Sequence, residues 1–206
     1  MFRISLAGLL LVVTSGCSTL TSWMPGILAG EDNSLPPTAL QAIETEATLS
    51  RRWTRDVGVG LEELNLNLRP VVDDGRVYAA DREGRVMAID AVSGDEIWDV
   101  KTGAAVSAGP GVGDGIVLLG TSNGEIIALD AADGTERWRA AVSSEVLSVP
   151  QTDFDKVIVQ TADGNVTALS ADNGESLWVY DRDVPVLTLR GTSTPALKHG
   201  LSLIHI

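Results

Sequence analysis

Only one cysteine, Cys17, occurs in the 206 residues, so the chain can form neither an internal disulfide nor a site built from paired thiolates. Aromatic residues are scarce at 4%, against 21 Gly and 44% hydrophobic residues, a balance that suits a turn-rich domain better than a helical bundle. Positive charge is also short. The 15 Lys and Arg face 28 Asp and Glu, giving a net charge of −13. Such a surface repels phosphate backbones, and Arg51 with Arg52 is the only adjacent basic pair, so nucleic acid is not an expected partner. No apolar run is long enough for a bilayer-spanning helix. The longest, residues 4–13, would reach about 15 Å as a helix against a hydrocarbon core of roughly 30 Å.

What the short run does fit is an export signal. Arg3 gives a positive start, residues 4–13 an apolar stretch, and Thr14, Ser15 and Gly16 a small-residue end. The small residues before Cys17 resemble the lipobox of bacterial lipoproteins, although Thr14 departs from the usual Leu. That resemblance implies that residues 1–16 are a signal peptide and that Cys17 carries the lipid. Several acyl chains there would exceed the two-signal requirement for stable anchoring. Ser18, which is not Asp, then implies outer-membrane sorting with the chain facing the periplasm. The alternative is an ordinary cleaved signal with a coincidental cysteine. Residues 17–37 are rich in Ser, Thr, Gly and Pro and read as a tether.

From residue 38 to about 200 the chain repeats itself. Trp98, Trp138 and Trp178 stand forty residues apart, as do Gly84, Gly124 and Gly164; Gly94, Gly134 and Gly174; Pro70, Pro110 and Pro150; and Ile89, Leu129 and Leu169. Each unit has the pattern of four short strands. Residues 76–80, 116–120 and 157–161 are apolar or β-branched runs, and each leads into a turn at Gly84, Gly124 or Gly164. Residues 86–89, 126–129 and 166–169 follow, then a second turn at Gly94, Gly134 or Gly174, then a strand carrying the tryptophan. The proline column falls at the head of each unit, where a missing N–H costs little.

A four-stranded sheet of this size cannot bury both faces alone, so copies must stack. The expected fold is all-β: a β-propeller of four-stranded antiparallel blades, with the tryptophans docked between neighbours. Asp90, Asp130, Asp133 and Asp163 lack the spacing of a calcium loop and read instead as turn residues bonding their own backbone. Neither a metal nor a cofactor is expected.

The segments 88–98 (AIDAVSGDEIW), 128–138 (AIDAVSGDEIW's counterpart ALDAADGTERW) and 168–178 (ALSADNGESLW) resemble the tryptophan-docking motif of quinoprotein, or PQQ-like, propellers. Two families share it: quinone-dependent dehydrogenases and the BamB family of outer-membrane lipoproteins. The lipobox, the opening stretch 52–58 (RWTRDVG) and the segment 187–195 (LTLRGTSTP) are similar to the BamB family. That resemblance covers about residues 36–200 and implies a non-enzymatic scaffold that helps insert β-barrel proteins. It implies docking on the barrel-forming subunit BamA through Leu187, Leu189 and Arg190, with other assembly subunits and unfolded outer-membrane clients as further partners. On spacing alone the same segment reads as a structural loop. Trp178 to Pro195 is seventeen residues where the two preceding connections are twelve, but Trp53 to Pro70 is seventeen as well.

The alternative is a periplasmic PQQ-dependent oxidoreductase. Adjacent cysteines typical of those enzymes are absent, and only His199 lies outside the last six residues. A sensor or peptidoglycan-linked module is a third reading. The resemblance further implies eight blades, about half of them present here, with residues 51–57 forming a strand of the parent's last blade. Residues 201–206 (LSLIHI) fit neither the repeat nor the preceding segment. They back-translate to something resembling a transposon end used in library preparation, so they are read as a non-native tail, His205 included.

Overall fold

The computed structural model describes residues 47–60, 64, 66–181, 193–198 and 201–203. Nearly all of these belong to one compact unit, Leu49–Ile206. Fifteen strands are assigned among them, and no helix.

A short strand β1 (Asn67–Leu68) precedes the first blade, which is built from β2 (Val71–Asp73), β3 (Arg76–Ala80), β4 (Arg85–Asp90) and β5 (Glu96–Lys101). The second blade is β6 (Val106–Gly113), β7 (Ile116–Thr121), β8 (Glu125–Asp130) and β9 (Glu136–Ala141). The third is β10 (Gln151–Asp153), β11 (Lys156–Gln160), β12 (Val166–Ser170) and β13 (Ser176–Tyr180). A hairpin of β14 (Ala196–Lys198) and β15 (Leu201–Leu203) follows. Within each blade the strands pair in chain order and antiparallel, as the alternating apolar runs and glycine turns require.

The core lies between blades. Tyr78, Val86, Ala88 and Trp98 of the first blade pack against Val106, Val117, Leu119, Ile127 and Leu129 of the second. Ile116, Leu118, Ile126 and Trp138 of the second meet Val157, Val159 and Leu169 of the third. Ile158, Val166 and Ala168 form the next layer, with Leu197 of β14 against it. Strands β7 and β8 are buried along almost their whole length because they have a blade on each face.

Several details differ from the expectation. Pro110 lies inside β6, not at its head, where the register to β7 shifts between Ala108 and Gly111. No regular ladder bond is demanded of its nitrogen there. Pro70 and Pro150 do sit directly before β2 and β10. Residues 51–57, expected to pair only within the parent's last blade, pair with no strand among the described residues. Strand β1 was not anticipated. It adds to β6 in parallel, Asn67 opposite Ala108 and Leu68 opposite Gly109, so the long first connection stitches the approach to blade one onto blade two.

The final hairpin continues the repeat in its backbone. Ala196 pairs with Leu203 and Lys198 with Leu201, the register that joins Gln151 to Ile158 and Asp153 to Lys156. Ser202 thus takes the register position held by Val77, Val117 and Val157.

Candidate functional site

The repeated turn between the third and fourth strands prepares a receptor for the preceding blade's tryptophan. Gly94, Gly134 and Gly174 adopt φ of 79°, 77° and 75°, a region a side chain disfavours. A Cβ on Gly134 would lie 2.8 Å from the Trp98 ring, and one on Gly174 2.6 Å from the Trp138 ring. The missing side chain is therefore the seat of the indole. Beside it, Trp98 Nε1 donates to the Ala131 carbonyl at 3.1 Å, and Trp138 Nε1 to Ala171 at 2.8 Å. Both rings are 7% exposed.

Trp53 belongs to the same series, which the irregular first spacing hid in the sequence. Its Nε1 donates to Ala91 at 3.2 Å, and a Cβ on Gly94 would lie 2.6 Å from its ring. Trp98 and Trp138 find their acceptors 33 positions on, whereas Trp53 finds its own after 38. The five extra residues are those of the longer connection. Trp178, unlike the other three, is 44% exposed and lines an open groove with Ile158, Phe154 and Leu197.

The turns are rigid for an electrostatic reason. Asp90 Oδ1 accepts from the backbone N–H of Val92 and Ser93 at 2.9 and 2.8 Å, and these bonds, that of Ser93 foremost, hold the carboxyl below its ordinary range. Asp130 is lowered in the same way by the Ala132 N–H and then by Arg137. Asp133 and Asp163 accept from the N–H groups of Thr135 and Asn165. All four aspartates thus act on their own backbone. Among the described residues no three His, Cys, Asp or Glu side chains come together as a metal site would require, and no helix is long and apolar enough to cross a membrane.

Ala131 receives more than its tryptophan. Arg76 Nη1 donates to the same carbonyl at 2.7 Å and Tyr78 Oη at 3.2 Å, with the Tyr78 and Trp98 rings 6.0 Å apart. The described site is thus a joint between blades. Cys17 and the interface candidates Leu187, Leu189 and Arg190 lie outside the described residues.

Four-stranded blades keyed by a tryptophan column define a PQQ-like repeat propeller. The chain belongs to the family described as outer membrane protein assembly factor BamB, whose model matches residues 38–108 and 82–205. It is similar to the protein of that name from Pseudomonas aeruginosa, 45% identical over 86 residues, which are 42% of this chain and 23% of that protein. The chain thus matches about a quarter of the length of that relative. Its fold is similar to the crystal structure of BamB from Moraxella catarrhalis, with a TM-score of 0.61 and 29% identity, over 71% of this chain and 44% of that one. A europium-containing methanol dehydrogenase is also similar, with a TM-score of 0.51 and 22% identity over 62% of this chain and 26% of that one, a likeness of fold alone.

Proposed function

We propose that this chain is part of a non-enzymatic scaffold subunit of the outer-membrane β-barrel assembly machinery. In this reading Cys17 carries the lipid anchor, residues 17–37 are the tether, and the propeller faces the periplasm. Leu187, Leu189 and Arg190 dock on BamA, two apolar side chains beside a cation that can pair bidentately with a carboxylate. Unfolded barrel proteins are the clients.

The observation that carries the proposal is the family match across residues 82–205, which takes in the Leu187–Arg190 segment. The geometry agrees with it. Trp98 and Trp138 are engaged in docking, and Asp90 and Asp130 in turn formation. The test is co-purification. Full-length protein carrying L187S, L189S and R190E together is expected to lose BamA from detergent-solubilised envelopes while keeping its unfolding midpoint. Undiminished BamA would refute the assignment.

A further inference from the structure

We infer that the outer edge of the third blade, strand β13, is a receptor for an extended strand of another polypeptide. Each blade ends in an outer strand with no neighbour on its far side among the described residues. Such edges invite pairing and are usually guarded by charge. The first two blades are guarded. Arg85 of β4 pairs with Asp99 of β5 at 2.7 Å. In blade two the same positions hold the pair reversed, Glu125 with Arg139 at 3.3 Å, and a second pair joins Asp130 to Arg137 at 2.8 Å.

Blade three lacks both pairs. At the first site Asn165 and Val179 replace them, Asn165 turning its amide to Ser143 and Asp163. At the second, Ser170 and Leu177 stand where Asp130 and Arg137 stood. Strand β13 therefore reads Ser-Leu-Trp-Val-Tyr with no charge, and Leu177 and Val179 are 48% and 54% exposed.

A following blade would not cover Val179. Val179 lies opposite Thr167 in the register, in the row of Val159, which packs against blade two. Blade two is already present, and Val179 is exposed all the same. Trp178, opposite Ala168, is in the row that meets the next blade.

The occupant follows from the chemistry of the edge. Unpaired backbone groups beside exposed apolar side chains at the alternate positions Leu177 and Val179 are complemented by an extended strand that is apolar on the facing side, as the strands of membrane β-barrels are. A second copy of this chain is disfavoured by the net charge of −13 on each. This assignment rests on the scaffold reading and names where a client strand would be held.

The test uses full-length protein and a fluorescent ten-residue peptide alternating Leu or Val with Ser or Thr. The variant N165E/S170D/L177R/V179R installs the residues blade two already carries. Anisotropy is expected to show binding to the unaltered protein and a loss of at least tenfold in the variant. A peptide N-methylated at alternate amides, made in both phases, is expected to lose as much in one phase on the unaltered protein. The inference falls if the unaltered protein does not bind, if the variant binds equally, or if both methylated peptides bind equally. It also falls if sedimentation shows a dimer that the variant abolishes, because the occupant is then a second copy. BamA co-purification with the same variant is expected to persist, so failure here is separable from failure of the scaffold reading.

Discussion

Trp138 donates its indole N–H to the carbonyl of Ala171 at 2.8 Å, across a blade boundary and 33 positions along the chain. Trp98 makes the equivalent bond to Ala131, but that carbonyl also accepts from Arg76 and Tyr78. The two joints therefore differ in redundancy. W138F leaves a buried carbonyl without the donor it has among the described residues, at a cost of about 1–3 kcal/mol. W98F leaves two donors in place and is expected to cost less by about 1 kcal/mol. Urea denaturation of both variants checks the order, and equal losses would contradict it.

The seat of the indole can be tested from its other side. G134A places a methyl against the Trp98 ring and forces a side chain to φ of 77°. Overpacking and backbone strain together predict a loss of about 2–5 kcal/mol. Gly75 also has a positive φ, but a Cβ there meets nothing within 4 Å. G75A is expected to cost only the backbone share, about 1–2 kcal/mol. The difference between the two unfolding midpoints is the measurement.

Acid should weaken the turns. The folded Asp90 and Asp130 carboxyls titrate below their ordinary values, and the unfolded value is about 3.9. Their contribution is complete above that pH and is lost as pH falls through the lowered folded values. The stability difference between the unaltered protein and D90N/D130N should therefore close between about pH 5 and pH 2. Urea midpoints across that range test it, and a gap independent of pH would refute the cause given.

The proposed anchor predicts a change of location. In the proposed reading C17S in the full-length protein removes the thiol that would be acylated, and with it the anchor. The protein should move from the membrane pellet to the soluble periplasmic fraction. Retention in the pellet, with BamA absent, would contradict lipidation at Cys17.

Much of the fold was legible because the repeat registers the same physics three times. The apolar runs at 76–80 and 116–120, the glycine turns and the tryptophan spacing each anticipated a strand, a hairpin or a joint. Trp53 escaped the pattern because five extra residues displace it, and its role emerges only from its bond to Ala91. Strand β1 escaped because two residues, Asn67 and Leu68, carry too short an alternation to read, and their parallel partners, Ala108 and Gly109, lie a whole blade further along the chain. The bare edge of β13 was present as the charges missing at 177 and 179, but an absence has meaning only once the register shows what it stands opposite.

The central claim is that the propeller works as a docking body through the segment that follows its third blade. The most direct measurement is photo-crosslinking in intact envelopes, with the crosslinker placed at Leu187 and, as a comparison, at Val92, which is exposed on the first blade's outer turn. The account predicts a BamA adduct from position 187 and none from position 92. No adduct at 187, or equal adducts at both, would contradict it.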